Sequence, residues 1–136
     1  MSDTAQLEGR PLELLREGKN FAHVAIAKGG GDVRTVLVWI DADDEGNVML
    51  NSAEGRAWPR ELREAGRAFI TVPNHENPYE YVAIEARLDG DTNDGADADI
   101  DALAKKYLGE DKYPWAQPGE RRVTFTLRPE RVRHQG

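Results

Sequence analysis

A chain of 136 residues with 39% hydrophobic and 32% charged side chains has the apolar content for one buried core and too much interspersed charge to cross a bilayer. The formal net charge of −7 argues against general nucleic-acid binding, which depends on many Lys and Arg neutralising phosphates, and the lack of cysteine excludes disulfides and thiol nucleophiles. Met1-Ser2-Asp3-Thr4 has neither the basic nor the apolar region of a secretory signal, so the expectation is a single cytoplasmic domain over residues 1–136, with flexible tails at 1–9 and 133–136.

Leu12, Leu14 and Leu15, with Pro11 in the first turn and Gly18 as a stop, predict a short amphipathic helix over residues 10–17 that covers one end of the core. Residues 21–28 and 33–40 are apolar or β-branched runs split by Gly29-Gly30-Gly31-Asp32, the pattern of a hairpin. A polar turn at 41–46 leads to a third strand at 47–52. Gly55 to Gly66 then reads as a short helix with Pro59 in its first turn and Gly66 as its stop.

Two further strands follow at 67–73 and 79–88. In the second of them Val82, Ile84, Ala86 and Leu88 face one way, and Tyr81, Glu85 and Arg87 the other. Ile100, Leu103, Ala104, Tyr107 and Leu108 recur at helical spacing behind Asp97, Asp99 and Asp101, where the helix dipole favours acids. Val123, Phe125 and Leu127 give a last strand, which Pro129 is expected to end. Hairpins dominate, so the fold class is mainly β: a six- to seven-stranded antiparallel split barrel with short flanking helices, not a doubly wound sheet.

Little in this order suits hydrolysis. His23, His75 and His134 have no serine in a strand-turn-helix elbow to act on. A histidine inside a strand, as His23 is, is more often packed or at an interface than catalytic, and His134 falls in the expected tail. Asp89 to Gly95 resembles a calcium loop only in part: the glycine comes one place late and the position for the bidentate Glu is Ile100, so helix capping and a solvated loop account for the acids. Arg56 and Arg60 stand at i and i+4 of a helix start, an arrangement that either grips a phosphate with free N–H groups or forms a solvated face paired with Glu61 and Glu64.

The runs Phe21 to Ala27, Val38-Trp39, Asn51 to Ala57 and Asn77 to Val82 resemble the actinobacterial deazaflavin-dependent oxidoreductases of the pyridoxamine 5′-phosphate oxidase-like group. So do Ile100 to Ala104, Lys106 to Gly109, Tyr113-Pro114-Trp115 and Arg128 to Val132, so that the resemblance covers residues 10–132. It implies a homodimer with two equivalent cofactor clefts at the interface, no nucleic-acid or membrane partner, and coenzyme F420 (alternatively FMN) delivering hydride to a small electron-poor acceptor such as an enone, a quinone or a tetrapyrrole.

Position by position, the resemblance assigns Asn51, Ser52, Gly55, Arg56 and Arg60 to the phosphate side. It assigns Arg34, Thr35, Val36 and Leu37 to the strand beside the ring, and Tyr79 and Tyr81 to residues lent by the partner chain. The deazaflavin's polyglutamyl tail calls for a further basic groove, with Lys28 or Arg34 as candidates. Three positions depart from the family pattern: Trp58 stands where lysine is frequent, Glu61 where asparagine is, and Leu37 where proline is. Trp58 either stacks on a cofactor ring or fills the pocket. The readings left open are an F420-dependent oxidoreductase, an FMN-dependent oxidase or reductase, and a non-catalytic carrier or degenerate barrel.

Overall fold

The computed structural model describes residues 3–136; of the expected N-terminal tail, residues 1 and 2 lie outside them. In chain order the elements are β1 (Asp3–Thr4), α1 (Gly9–Arg16), β2 (Ala22–Ala27), β3 (Val33–Val38), β4 (Asp41–Ala42), β5 (Val48–Ala53), α2 (Ala57–Ala65), β6 (Arg67–Asn74), β7 (Asn77–Thr92), α3 (Ala96–Leu108) and β8 (Arg122–Gln135). The strands form one antiparallel sheet in the order β3-β2-β6-β7-β8-β5-β4, with β1 added alongside β8. The sheet curls without closing, which makes it a split barrel, as the succession of hairpins requires. No helix among the described residues is long and apolar enough to cross a membrane.

Alternation along the strands sets the core. On β2, Ala22, Val24 and Ile26 point inward and are buried, while His23 and Ala27 are exposed on the outer face. Cross-strand pairing continues this inner layer through Ile70 on β6 and Ile84 on β7. The barrel ends are closed by helices. α1 inserts Leu14 and Leu15, both essentially inaccessible, and α2 inserts Trp58 and Leu62. Burying a leucine side chain contributes about 1.5–3 kcal/mol, so the amphipathic pattern that α1 shows in sequence is what seats it. α2 stops at Gly66, whose left-handed backbone (φ 75°) lets its N–H reach Leu62 O at 2.8 Å.

One expectation about the last strand is overturned. Pro129 does not end it: β8 runs on to Gln135, with Arg133 and His134 paired to Ala83 and Val82. The ladder shifts register between Glu85 and Ala86, which face Arg131 and Pro129, so Glu130 is the extra residue of a bulge. A proline, which has no N–H to donate, is tolerated beside such a bulge. Residues 133–135 are thus ladder, not tail, and β1 is held by Arg133 and Val132 on the same strand. β8 pairs with β7 over most of its length and with β5 at its start, so it joins the two halves of the barrel.

Candidate functional site

α3 lies across β5 and β8 and builds a second, smaller apolar cluster outside the barrel. Ile100, Leu103 and Tyr107 face Phe21, Trp39 and Tyr113 there. The rings of Trp39 and Tyr107 stack at 5.2 Å with an interplanar angle of 8°, and Trp39 also meets Tyr113 and Trp115, each at 6.1 Å. Tyr107 is anchored by its hydroxyl, which donates to Asn20 O and accepts the Ile40 N–H, and burial pushes its pKa up to about 12. Beside it Lys106 Nζ donates to Leu15 O and Ile40 O, and burial lowers its pKa to about 8. These bonds tie the end of α1 and the β3–β4 link to α3, and so hold Trp39 in place.

Against this aromatic wall opens a cleft of about 300 Å³, bordered by Leu37, Asn51, Arg56, Trp115 and Arg122 among others. One wall is a polar lattice. Arg122, only 5% exposed, donates from Nε to Asn51 Oδ1 at 2.9 Å and from Nη1 to Glu120 Oε1 at 2.7 Å. Asn51 Nδ2 donates to Ala96 O and Thr124 Oγ1, and Thr124 donates to Asp99 Oδ2 at 2.7 Å. Asn51 is therefore a strut between β5, β8 and α3.

The residues assigned from sequence separate into groups. Arg56 is the residue before α2: exposed, at the cleft mouth, with its backbone N–H on Ala53 O and its guanidinium without a hydrogen bond or ion pair among the described residues. It stands beside the unsatisfied N–H groups of the first helical turn. Gly55, at φ 94°, makes the reversal from β5 into α2 possible. Arg60 is exposed but borders a different depression, with Lys28, Gly29 and Glu64, so Arg56 and Arg60 do not line one cleft. Ser52 faces the core side with Val48 and Leu50, fully buried, its hydroxyl without a partner.

On β3, Thr35 and Leu37 point outward, Leu37 61% exposed, whereas Val36 packs on the core. Tyr79 is 88% exposed and Tyr81 half-buried, both on β7. Trp58 is in the core, 5.8 Å from the Phe125 ring, so of the two readings open for it the structure favours filling.

Glu61 turns away from the cleft. Its carboxylate accepts Arg34 Nε at 2.7 Å and pairs with Lys28 Nζ at 3.1 Å. The Arg34 hydrogen bond, aided by Lys28 and opposed by burial, pulls its pKa down to about 2. The 89–101 acids are not all in a loop: β7 runs past its expected end at Leu88 to Thr92, so Asp89 and Asp91 are strand residues, Asp91 paired to Phe125 on β8 and held by Arg63. Asp94 falls in the turn before α3, and Asp97 and Asp99 lie in the first turn of α3, where its dipole favours them. His134 meets Glu80 at 2.9 Å, and Glu80 also holds Arg10. Sequence reasoning did not single out Arg122, Trp39, Tyr113 or Trp115 as site residues. The signal available was the crowding of aromatic residues into 113–115 in a chain with only 7% of them.

No protein-family model matches the sequence, and no curated protein matches it significantly. Solved structures do. A protein named F420 reductase superposes with a TM-score of 0.76 at 20% identity, over 93% of this chain and 98% of that one. A candidate pyridoxamine 5′-phosphate oxidase from Listeria innocua gives 0.66 at 13% identity, over 90% and 93%. The general stress protein 26 of Bacillus anthracis gives 0.62 at 7% identity, over 91% and 90%. The chain adopts the split-barrel fold of pyridoxamine 5′-phosphate oxidase-like proteins, a fold it shares over almost its whole length with an F420 reductase.

Proposed function

We propose that the chain is an oxidoreductase that holds coenzyme F420 and passes hydride to an electron-poor organic acceptor. The observation that carries this is Arg56: an unpaired guanidinium at the N-terminus of α2, opening onto an aromatic cleft, where free N–H groups and a positive dipole end favour a phosphate. The solved F420 reductase of the same fold supports the choice of cofactor. Arg56 and the first turn of α2 would hold the phosphate, and Thr35 and Leu37 on the outward face of β3 would lie beside the ring. Asn51 acts at one remove by fixing Arg122. The bound cofactor supplies the hydride; the protein orients the ring and keeps water from it. Exposed Tyr79 and the exposed apolar side chains Val33, Leu37 and Phe69 are what a second copy would cover, so the working unit is proposed to be a homodimer.

FMN is the second reading, and Glu61 favours it. With Lys28 and Arg34 both engaged by that carboxylate, neither of the cations expected for a polyglutamyl tail is free. Titrating the purified chain with each cofactor and following its visible absorbance decides between them. At least one should bind saturably; binding of neither would leave the degenerate-barrel reading, to which core-filling Trp58 belongs. Sedimentation should give a dimer at micromolar concentration. A monomer with unaltered cofactor affinity would rule out clefts shared between two chains.

A further inference from the structure

Two opposite charges, Glu54 and Arg56, stand two residues apart at the entrance to α2, with Gly55 in the left-handed region between them (φ 94°). A pair linked by so short and pliable a turn is expected to close on itself. It does not. The Arg56 guanidinium has no hydrogen bond or ion pair among the described residues and borders the aromatic cleft, whereas both oxygens of Glu54 are taken. Arg63 Nη1 donates to Glu54 Oε1 at 2.9 Å and Nη2 to Oε2 at 3.1 Å, a bidentate fork, and Asn93 Nδ2 donates to Oε2 at 3.0 Å.

The fork is built into the helix. Side chains on a helix lean toward its N-terminus, so Arg63, in the last turn of α2, reaches back to the turn from which its own helix starts. It is held there: Nε and Nη2 each approach Asp91 at 3.3 Å, and Cζ lies 5.2 Å from the centre of the Phe125 ring. Asn93 is fixed as well, by donating to Arg122 O at 2.9 Å. The Arg63 hydrogen bond, followed by that of Asn93, lowers the Glu54 pKa below its ordinary value, so the carboxylate is charged at neutral pH and would repel an anion if left alone. We infer that Arg63 is a positioning residue for the phosphate site: with Asn93 it holds the Glu54 carboxylate off Arg56 and offsets its charge, which leaves the Arg56 guanidinium free for a phosphate. The inference rests on the reading of Arg56 given above.

FMN and riboflavin test this, since they share a ring and only FMN carries phosphate; where the deazaflavin alone binds, F420 and its phosphate-free chromophore serve. The ratio of the two affinities reads the phosphate site, and a general loosening of the fold lowers both alike. Arg63→Met should cut the preference for FMN over riboflavin at least roughly fivefold, because it leaves the Glu54 charge unopposed and free to meet Arg56. Adding Glu54→Gln to that variant should return the preference to within about twofold of the parent, although it restores no contact to Arg63's other partners. Should Arg63→Met fail to fold, Arg63→Lys, which keeps the charge but loses the fork, should cut the preference about twofold, and Glu54→Gln should again return it. An unchanged preference, equal losses for FMN and riboflavin, or a double variant no better than the single one would each overturn the role of Arg63. Arg56→Ala separates this from the reading it rests on. If Arg56→Ala removes the preference and Arg63→Met does not, only the role of Arg63 falls. If Arg56→Ala leaves the preference intact, or the parent shows none, the phosphate site at Arg56 falls and its positioning with it.

Discussion

On one flank of α2 the guanidinium of Arg56 ends at an aromatic cleft with no partner, while on the other Arg34 and Lys28 close on the carboxylate of Glu61. All three cations look alike in sequence as candidates for an anionic cofactor. Their availability differs because Glu61, only 8% exposed in its side chain, is a strong local anion that two cations are needed to satisfy. A cation already spent on a buried carboxylate binds an external phosphate only by displacing it. Position near a site is thus a weaker guide to function than what each charge has left to give.

Trp58 marks the boundary between the two flanks and should give the largest effect. It stands two residues after Arg56 yet packs into the barrel on Phe125, so Trp58→Ala removes a buried aromatic and leaves a cavity. The expected cost is about 3–5 kcal/mol, a large part of the roughly 5–15 kcal/mol that holds a domain of this size together. Chemical denaturation measures it. A loss under about 1 kcal/mol would mean that the ring is not a core residue, and would reopen stacking on a cofactor.

Arg56→Ala comes next. Losing one charge-assisted contact costs about 1.5–3 kcal/mol, so affinity for F420 or FMN should fall roughly ten- to a hundredfold. Arg34→Ala should change FMN affinity less than threefold, on the order of 0.6 kcal/mol, because its guanidinium serves Glu61. Equal losses from the two variants would erase the distinction between the flanks. Glu61→Gln sharpens it further: freeing Lys28 and Arg34 should favour the polyglutamyl-tailed F420 more than FMN, measured as a change in the ratio of the two affinities.

The contrast explains what could be read in advance. Alternation in 82–88 told which of its residues face the core, because burial on one side of a pleated strand imposes a period of two, whereas the apolar run at 21–28 gave a strand without its facing. The continuation of β8 past Pro129 was not legible, since it depends on a bulge opposite β7, a tertiary feature. Nor was the role of Arg122: its partner Asn51 reaches it only because β5 and β8 pair with Asn51 opposite Thr124. The Arg56–Arg60 spacing was visible and offered one shared site among its readings, yet the two side chains border separate depressions. Glu61 had Glu64 and two arginines nearby in sequence, but the cations it holds come from the β2–β3 hairpin.

The smallest effect concerns pH and isolates the Glu61 flank. The folded-state pKa of Glu61 is about 2 against an ordinary value of 4.5, set first by the Arg34 hydrogen bond. For a carboxyl group lowered on folding, the unfolded chain takes up protons first as pH falls. Its stabilising contribution is therefore complete above about pH 4.5 and disappears as pH drops through 2. Other carboxylates, among them Glu54, Glu80 and Glu130, are lowered too, so acid destabilises the parent for several reasons at once. The informative quantity is the difference in melting temperature between the parent and Glu61→Gln. It should be constant above pH 5, shrink between pH 4.5 and 2, and shrink also with added salt, because Lys28 and Arg34 are partly exposed. A difference that stays flat across that window would mean that the carboxylate's charge contributes nothing to the fold. Arg34 and Lys28 would then be as free to meet an anionic cofactor as Arg56.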